Sequence, residues 1–159
     1  MEMLKGVASN LKIDSLPSLG LWVMWAGKKK ILVVDDEPDR TFTLSSILNE
    51  RGFEVMSFND SLLTLRRFKP HYYELVILDI RMPKMDGFEL YRAIKRKDNH
   101  VKVCFLTAVS EFRDYEQYRK DAYPKLGERH FIAKPVSNDE LIRGVNEILT
   151  NDNYHLENT

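Results

Sequence analysis

No disulfide can form within this chain of 159 residues, because Cys104 is its only cysteine. Set inside the apolar run 101–106, Cys104 reads as a small buried hydrophobe, since no neighbouring His or Lys is placed to lower its pKa and make it reactive. Net charge is also missing. The 24 basic residues balance 24 acidic ones, which removes any general attraction toward nucleic acid or an anionic membrane. Long apolar runs are absent too: the stretch 19–27, LGLWVMWAG, falls well short of the ~20 residues a membrane helix needs. Lys28, Lys29 and Lys30 follow it, the reverse of the order in a secretory signal. Together these absences predict a cytoplasmic protein with no membrane span and no direct nucleic-acid binding, whose partners are chosen by local surface. Internal repeats and low-complexity tracts are likewise lacking.

What the chain does have is 43% hydrophobic residues, enough for one sizeable core and too little length for a second folded output domain. Residues 1–28 mix Ser, Asn, Pro and Gly with scattered hydrophobics and read as a loosely ordered extension. Trp22 and Trp25, three apart, would suit a short helical turn packed on the domain or on a partner. The domain proper is expected over 29–150. Short β-rich runs at 31–34, 53–58, 75–78, 101–106 and 131–133 alternate there with helix-length segments at 38–51, 60–69, 86–98, 109–123 and 138–150. Five such βα units argue for a parallel sheet covered on both faces. Boundary chemistry agrees: Pro38 suits a first helical position, Gly52 ends the first helix, and Ser137 with Glu140 spells a capping box. Pro124 and Gly127 close the fourth helical segment, and residues 151–159 read as a tail with no helix-turn-helix.

In open parallel sheets ligands sit beyond the carboxyl ends of the strands, so residues at those ends carry the interest. Asp35 and Asp36 follow the first strand, and Asp79 ends the third. If those strands are neighbours, the carboxylates converge, and two like charges ~4 Å apart repel by about 4 kcal/mol at an effective dielectric of 20. A divalent cation relieves that repulsion. With only oxygen donors in these motifs, a hard ion such as Mg2+ (or Mn2+) fits better than zinc, and the ligand-rich loop of a calcium site is missing. Thr107 after the fourth strand offers a hydroxyl, and Lys134 after the fifth offers an ammonium. Taken singly, each acid passes for a helix cap and each donor for a satisfied or solvated surface group. Jointly, carboxylates, cation, hydroxyl and lysine make a phosphoryl-transfer set.

ILVVDDEPD, LVILDIRMPKMDG, FLTA and FIAKP, in that order, closely resemble the response-regulator receiver domain of two-component signalling, over about residues 29–150. The resemblance implies an α/β, flavodoxin-like (βα)5 doubly wound parallel five-stranded sheet of order 2-1-3-4-5. It also implies an aspartate phosphorylated by a histidine kinase or a histidine phosphotransfer protein. On this chain Asp79 matches the phosphoacceptor, Asp36 a direct magnesium ligand, Asp35 an acid holding a metal-bound water, and Arg81 the residue whose main-chain carbonyl completes the protein ligands. Thr107, with Ala108 beside it, resembles the switch and phosphate-binding pair, Lys134 the phosphate-binding lysine and Phe131 the switch aromatic. Pro83 and Gly87 match the loop-shaping residues, and Pro135 matches the cis Lys-Pro bond of receivers. The implied readout is a changed protein-interaction surface on the fourth helix, fifth strand and fifth helix, in a monomer or a phosphorylation-dependent dimer. Arg81 and Val109 match positions that help set phosphoryl lifetime.

The chain departs from the family pattern in the 27 positions from Thr107 to Lys134, a few more than usual, with the excess around DAYPKLGERH. Three other readings compete. A receiver-fold scaffold that has lost phosphorylation is weakened by the presence of every site residue. An aspartate-nucleophile phosphatase would place a second Asp two residues after the nucleophile, where this chain has Arg81. A flavin site fails on charge, because its phosphate would lie among carboxylates. The expectation is therefore a signalling phosphoacceptor and not an enzyme acting on outside substrates.

Overall fold

In the computed structural model the described residues are 27–151, except for the side chains of residues 109–112 and 114. The expectations about Trp22, Trp25 and the tail lie outside this span, as does the side chain of Val109. In chain order the elements are β1 (Lys30–Val34), α1 (Pro38–Glu50), β2 (Glu54–Phe58), α2 (Ser61–Arg67), β3 (Leu75–Asp79) and α3 (Gly87–Lys97). They continue with β4 (Lys102–Ala108), α4 (Val109–Ala122), a 3-10 turn (Glu128–His130), β5 (Phe131–Lys134) and α5 (Asn138–Thr150). All pairings are parallel, in the order β2-β1-β3-β4-β5, the doubly wound arrangement expected.

The alternation of side chains along each strand divides the interior in two. Ile31, Val33, Leu75, Ile77, Cys104 and Leu106 pack under α1 and α5 with Leu44, Leu48, Leu141 and Val145. On the other face Leu32, Val34, Val76, Leu78, Val103 and Phe105 meet Phe88, Leu90 and Ile94 of α3. β1 and β3 therefore show no polar alternation: both faces are covered, and residues 31–34 and 75–78 are all buried. A fully buried Ile or Leu contributes roughly 1.5–3 kcal/mol, so this continuous apolar block is what pins the strand ends in place. Edge strand β2, with Glu54, Met56 and Ser57 exposed, contributes least. Cys104 lies fully buried, and burial pushes its thiol up to about 12, in keeping with a structural role.

Caps and turns stop the helices where their chemistry requires. Pro38 opens α1. Gly52, at φ 90°, closes it with bonds from Gly52 N to Asn49 O and from Phe53 N to Leu48 O, the Schellman pattern. Ser137 and Glu140 form the expected capping box of α5, and Asp86 with Glu89 forms a second at α3. Two spans differ from expectation. Thr107 lies within β4 and does not follow it, because β4 extends by pairing Ala108 with Lys134. α2 is shorter than 60–69: Phe68 is already extended at φ −60°, ψ 128°, and Pro70 disfavours helix at the residue before it. The long segment 121–130 folds back onto the domain, with Leu126 and His130 buried and Arg119 of α4 donating to the Leu126 carbonyl. Among the described residues no helix is long and apolar enough to cross a membrane.

Candidate functional site

At the carboxyl edge of the sheet β1 and β3 lie side by side, so the residues that end them must meet. One oxygen each from Asp35, Asp36 and Asp79 lies within 4.8 Å of the others. Asp35 and Asp79 are buried, and Asp36 is exposed. Two strands away, the β4–β5 register sets Lys134 opposite Ala108, and its Nζ donates to Asp79 Oδ1 at 2.6 Å. Over this constellation opens a cleft of about 670 Å³, lined among others by Asp36, Asp79, Arg81, Ala108, Lys134 and Pro135.

The electrostatics are those of an acidic site short of positive charge. Burial, the largest influence, raises the Asp79 carboxyl above the usual carboxylate range, although the Lys134 hydrogen bond opposes it. Asp35 is raised to about 6, by burial first, with repulsion from Asp79 adding to it against the amide of Glu37. Asp35 Oδ1 accepts from Glu37 N at 2.9 Å. Its Oδ2 sits 3.0 Å from Arg40 Nε, an ion pair without hydrogen-bond alignment, so this buried oxygen keeps unfilled acceptor capacity. An oxygen-only trio with an orphaned buried acceptor is a donor set that fits a hard divalent cation.

The loop after Asp79 is shaped by close approach. A Cβ on Gly87 would stand 2.3 Å from the Asp79 carbonyl oxygen, and Gly87 N donates to Ile80 O at 2.8 Å. Pro83 starts a tight turn in which its carbonyl accepts from Met85 N at 2.8 Å, with Lys84 left-handed at φ 69°. Lys134–Pro135 is cis, as expected. Arg81 is exposed at the rim of the cleft.

Two expected site residues stand behind the cleft instead of lining it. Thr107 is buried, its hydroxyl donating to the Ala108 carbonyl at 3.2 Å. Phe131 is half-buried on the α3–α4 side, stacked on Phe105 with ring centres 5.3 Å apart and with the Arg119 guanidinium 5.6 Å from its ring.

Sequence reasoning missed Arg40, which pairs with Asp35 and Glu37 and lines the cleft. A signal existed. Arg40 is in the first turn of α1, where the helix dipole disfavours a cation, so its presence asks for an acidic neighbour outside the helix. Asn59 was missed as well; its Nδ2 donates to the Asp35 carbonyl at 2.8 Å and ties the end of β2 to the site. Only the sheet order reveals that contact.

A doubly wound parallel (βα)5 sheet with three carboxylates and a lysine gathered at its carboxyl edge defines a receiver-type α/β domain. The family model for the response regulator receiver domain matches residues 31–146, and the chain belongs to that family. It is similar to a transcriptional regulatory protein CpxR homolog of Haemophilus influenzae, at 37% identity over 76% of this chain and 50% of that protein. It is also similar to a probable transcriptional regulator ycf27 of Porphyridium aerugineum, at 35% identity over 77% of this chain and 48% of the other. This chain thus spans about half the length of the curated relatives it matches. Among solved structures, the non-phosphorylated HemR receiver domain of Leptospira biflexa superposes with a TM-score of 0.66 at 27% identity, covering 78% of this chain and 96% of that one.

Proposed function

We propose that this domain accepts a phosphoryl group on Asp79 from a phosphohistidine donor, a histidine kinase or a histidine phosphotransfer protein, in a magnesium-dependent reaction. The observation that carries the reading is the hydrogen bond from Lys134 to Asp79 Oδ1 beside two further carboxylates. With Oδ1 engaged, Oδ2 is the oxygen left to attack phosphorus; the P–N bond of the donor breaks and the departing imidazole takes a proton. Lys134 then bears on a phosphoryl oxygen and offsets its charge. Asp36, Asp79 and the carbonyl of Arg81 would hold Mg2+, with Asp35 holding one of its waters, and Mn2+ suits the same oxygens. The ion, when bound, supplies positive charge to the transferring oxygens.

The switch runs through Thr107 of β4 and Phe131 of the neighbouring strand β5. Thr107 turns its hydroxyl from the Ala108 carbonyl toward the phosphoryl group, and Phe131 moves into the volume vacated. That motion alters the face formed by α4, β5 and α5, so a downstream protein reads the state as a population shift. With Arg81 where a general acid would be needed, the domain has no means of turning over outside phosphate esters. It acts as a phosphoacceptor in the cytoplasm. Incubation with acetyl phosphate and Mg2+ followed by intact-mass measurement should give one phosphoryl adduct, lost in Asp79→Asn and without added divalent ion. Absence of the adduct from wild type, or sustained phosphate release over many turnovers, would overturn the reading.

A further inference from the structure

The segment between α4 and β5, where this chain carries its few extra residues, is tied to the interior through Arg119. Arg119 lies in the last turn of α4 and is 7% exposed, and its Nη1 donates to the Leu126 carbonyl. The guanidinium also stands 5.6 Å from the centre of the Phe131 ring. No carboxylate pairs with it among the described residues: Glu116, about one turn earlier, pairs with Lys120 at 2.8 Å. Its Nε finds no hydrogen-bond partner either. A buried arginine without a counter-ion is uncommon, because desolvating the charge is costly. Here a ring face and a carbonyl offset that cost, and a planar guanidinium can face the one while donating to the other in its plane.

The two partners of Arg119 belong to different parts of the molecule. Phe131 is the switch aromatic, and with Arg119 it lines one small void shared by Ile80, the residue after Asp79. Leu126, 3% exposed, is the buried centre of the segment 123–130. Short turns hold that segment, with Leu126 N donating to the Tyr123 carbonyl at 3.0 Å and His130 N to the Gly127 carbonyl at 3.1 Å. Tyr123 fixes its start: the ring stacks on Phe88 with centres 5.6 Å apart, and the hydroxyl accepts from Arg92 Nε at 3.2 Å. Outside, Pro124, Lys125, Gly127 and Glu128 are exposed and, with Arg129, line a surface cleft of about 640 Å³.

We propose that Arg119 couples the position of Phe131 to the segment 123–130, making the outer surface of that segment the part a partner protein reads. The inference rests on Asp79 being the phosphoacceptor. When Phe131 moves toward Thr107, the guanidinium loses the ring that offset its burial, turns to water and releases the Leu126 carbonyl. The segment then loosens at its centre while Tyr123 still holds its start, and the cleft at Pro124 and Glu128 changes shape.

Hydrogen exchange of the full chain, read by mass before and after treatment with acetyl phosphate and Mg2+, tests the coupling. In wild type, amides across 123–130 should exchange roughly tenfold faster once the adduct on Asp79 has formed. Arg119→Met should show the faster exchange without phosphorylation and little further change with it, while still forming the adduct. Phe131→Leu removes the ring and leaves Arg119 in place, and it too should speed exchange across 123–130 in the unphosphorylated chain. Were Arg119 only a pin for the segment, Phe131→Leu would resemble wild type. Should Arg119→Met fail to fold, Phe131→Leu carries the test. Three results overturn the coupling: wild-type protection in Phe131→Leu, unchanged exchange across 123–130 in wild type that carries the adduct, or a full response to phosphorylation in Arg119→Met. Absence of any adduct on wild type would instead remove the phosphoacceptor reading, and unphosphorylated Phe131→Leu would still decide whether Phe131 and the segment are linked.

Discussion

His130 is buried beside Arg129 and Arg119, and its Nδ1 faces the Gly127 carbonyl at 3.2 Å. A carbonyl only accepts, so Nδ1 carries the hydrogen of a neutral ring. Burial holds its pKa down at about 4, against 6.5 for a free imidazole. Between those values the unfolded chain binds the proton and the folded one does not. Stability therefore falls as pH drops through that window, by up to ~3 kcal/mol once both limits are passed. Urea unfolding at about pH 7 and about pH 5 should show a smaller loss for His130→Gln than for wild type; parallel losses would refute it. Arg81 carries a different prediction. Arg81 lines the same cleft as Asp79; if Asp79 carries the proposed phosphoryl group and this side chain obstructs water, Arg81→Ala should shorten the phosphoryl lifetime severalfold, read from adduct decay by mass. An unchanged decay rate would remove Arg81 from that role. Residues of this kind are unevenly legible. Asp79 and Lys134 could be read because each ends an apolar run, whereas Arg40 and Asn59 act across elements whose adjacency no local pattern encodes.

Elements were more readable than contacts. Strand and helix periods placed all five βα units within a residue or two, because buried β-branched runs and helical spacing are local properties. Strand order came only through family resemblance, since periodicity carries no information about neighbours. The link between β3 and α3 shows why a loop residue weighs as much as the acid it follows. Gly87 is the first residue of α3 and lies against the Asp79 carbonyl, so any side chain there must push the loop and the acid apart. Gly87→Ala should cost about 1–3 kcal/mol and slow phosphorylation of Asp79 together. Chemical denaturation and adduct formation measure the two effects. A stable variant that phosphorylates at the wild-type rate would show that the approach is relieved elsewhere.

Across the molecule, the arrangement that suits phosphoryl transfer works against the fold when no cation is present. Three carboxylates share one sheet edge with Lys134 and Arg40 as ion-pair partners, and burial already raises Asp35 and Asp79. Folding buries Asp35 and Asp79 and brings the acids together, so the metal-free protein carries the burial of these carboxylates, with their mutual repulsion added to it, as a stability deficit. A divalent ion that binds only the folded state returns RT ln(1 + [L]/Kd), about 2.7 kcal/mol at a hundredfold excess over Kd. Removing one acid should act oppositely in the two conditions. Asp36→Asn relieves repulsion without emptying the core, so with a chelator present its unfolding midpoint should rise by a few degrees, while added Mg2+ should stabilise it far less than wild type. Thermal unfolding of both proteins with chelator and with Mg2+ decides the matter. If Asp36→Asn were less stable than wild type in chelator, the acidic edge would be held together by hydrogen bonding and not strained by charge, and the cation would have no deficit to repair.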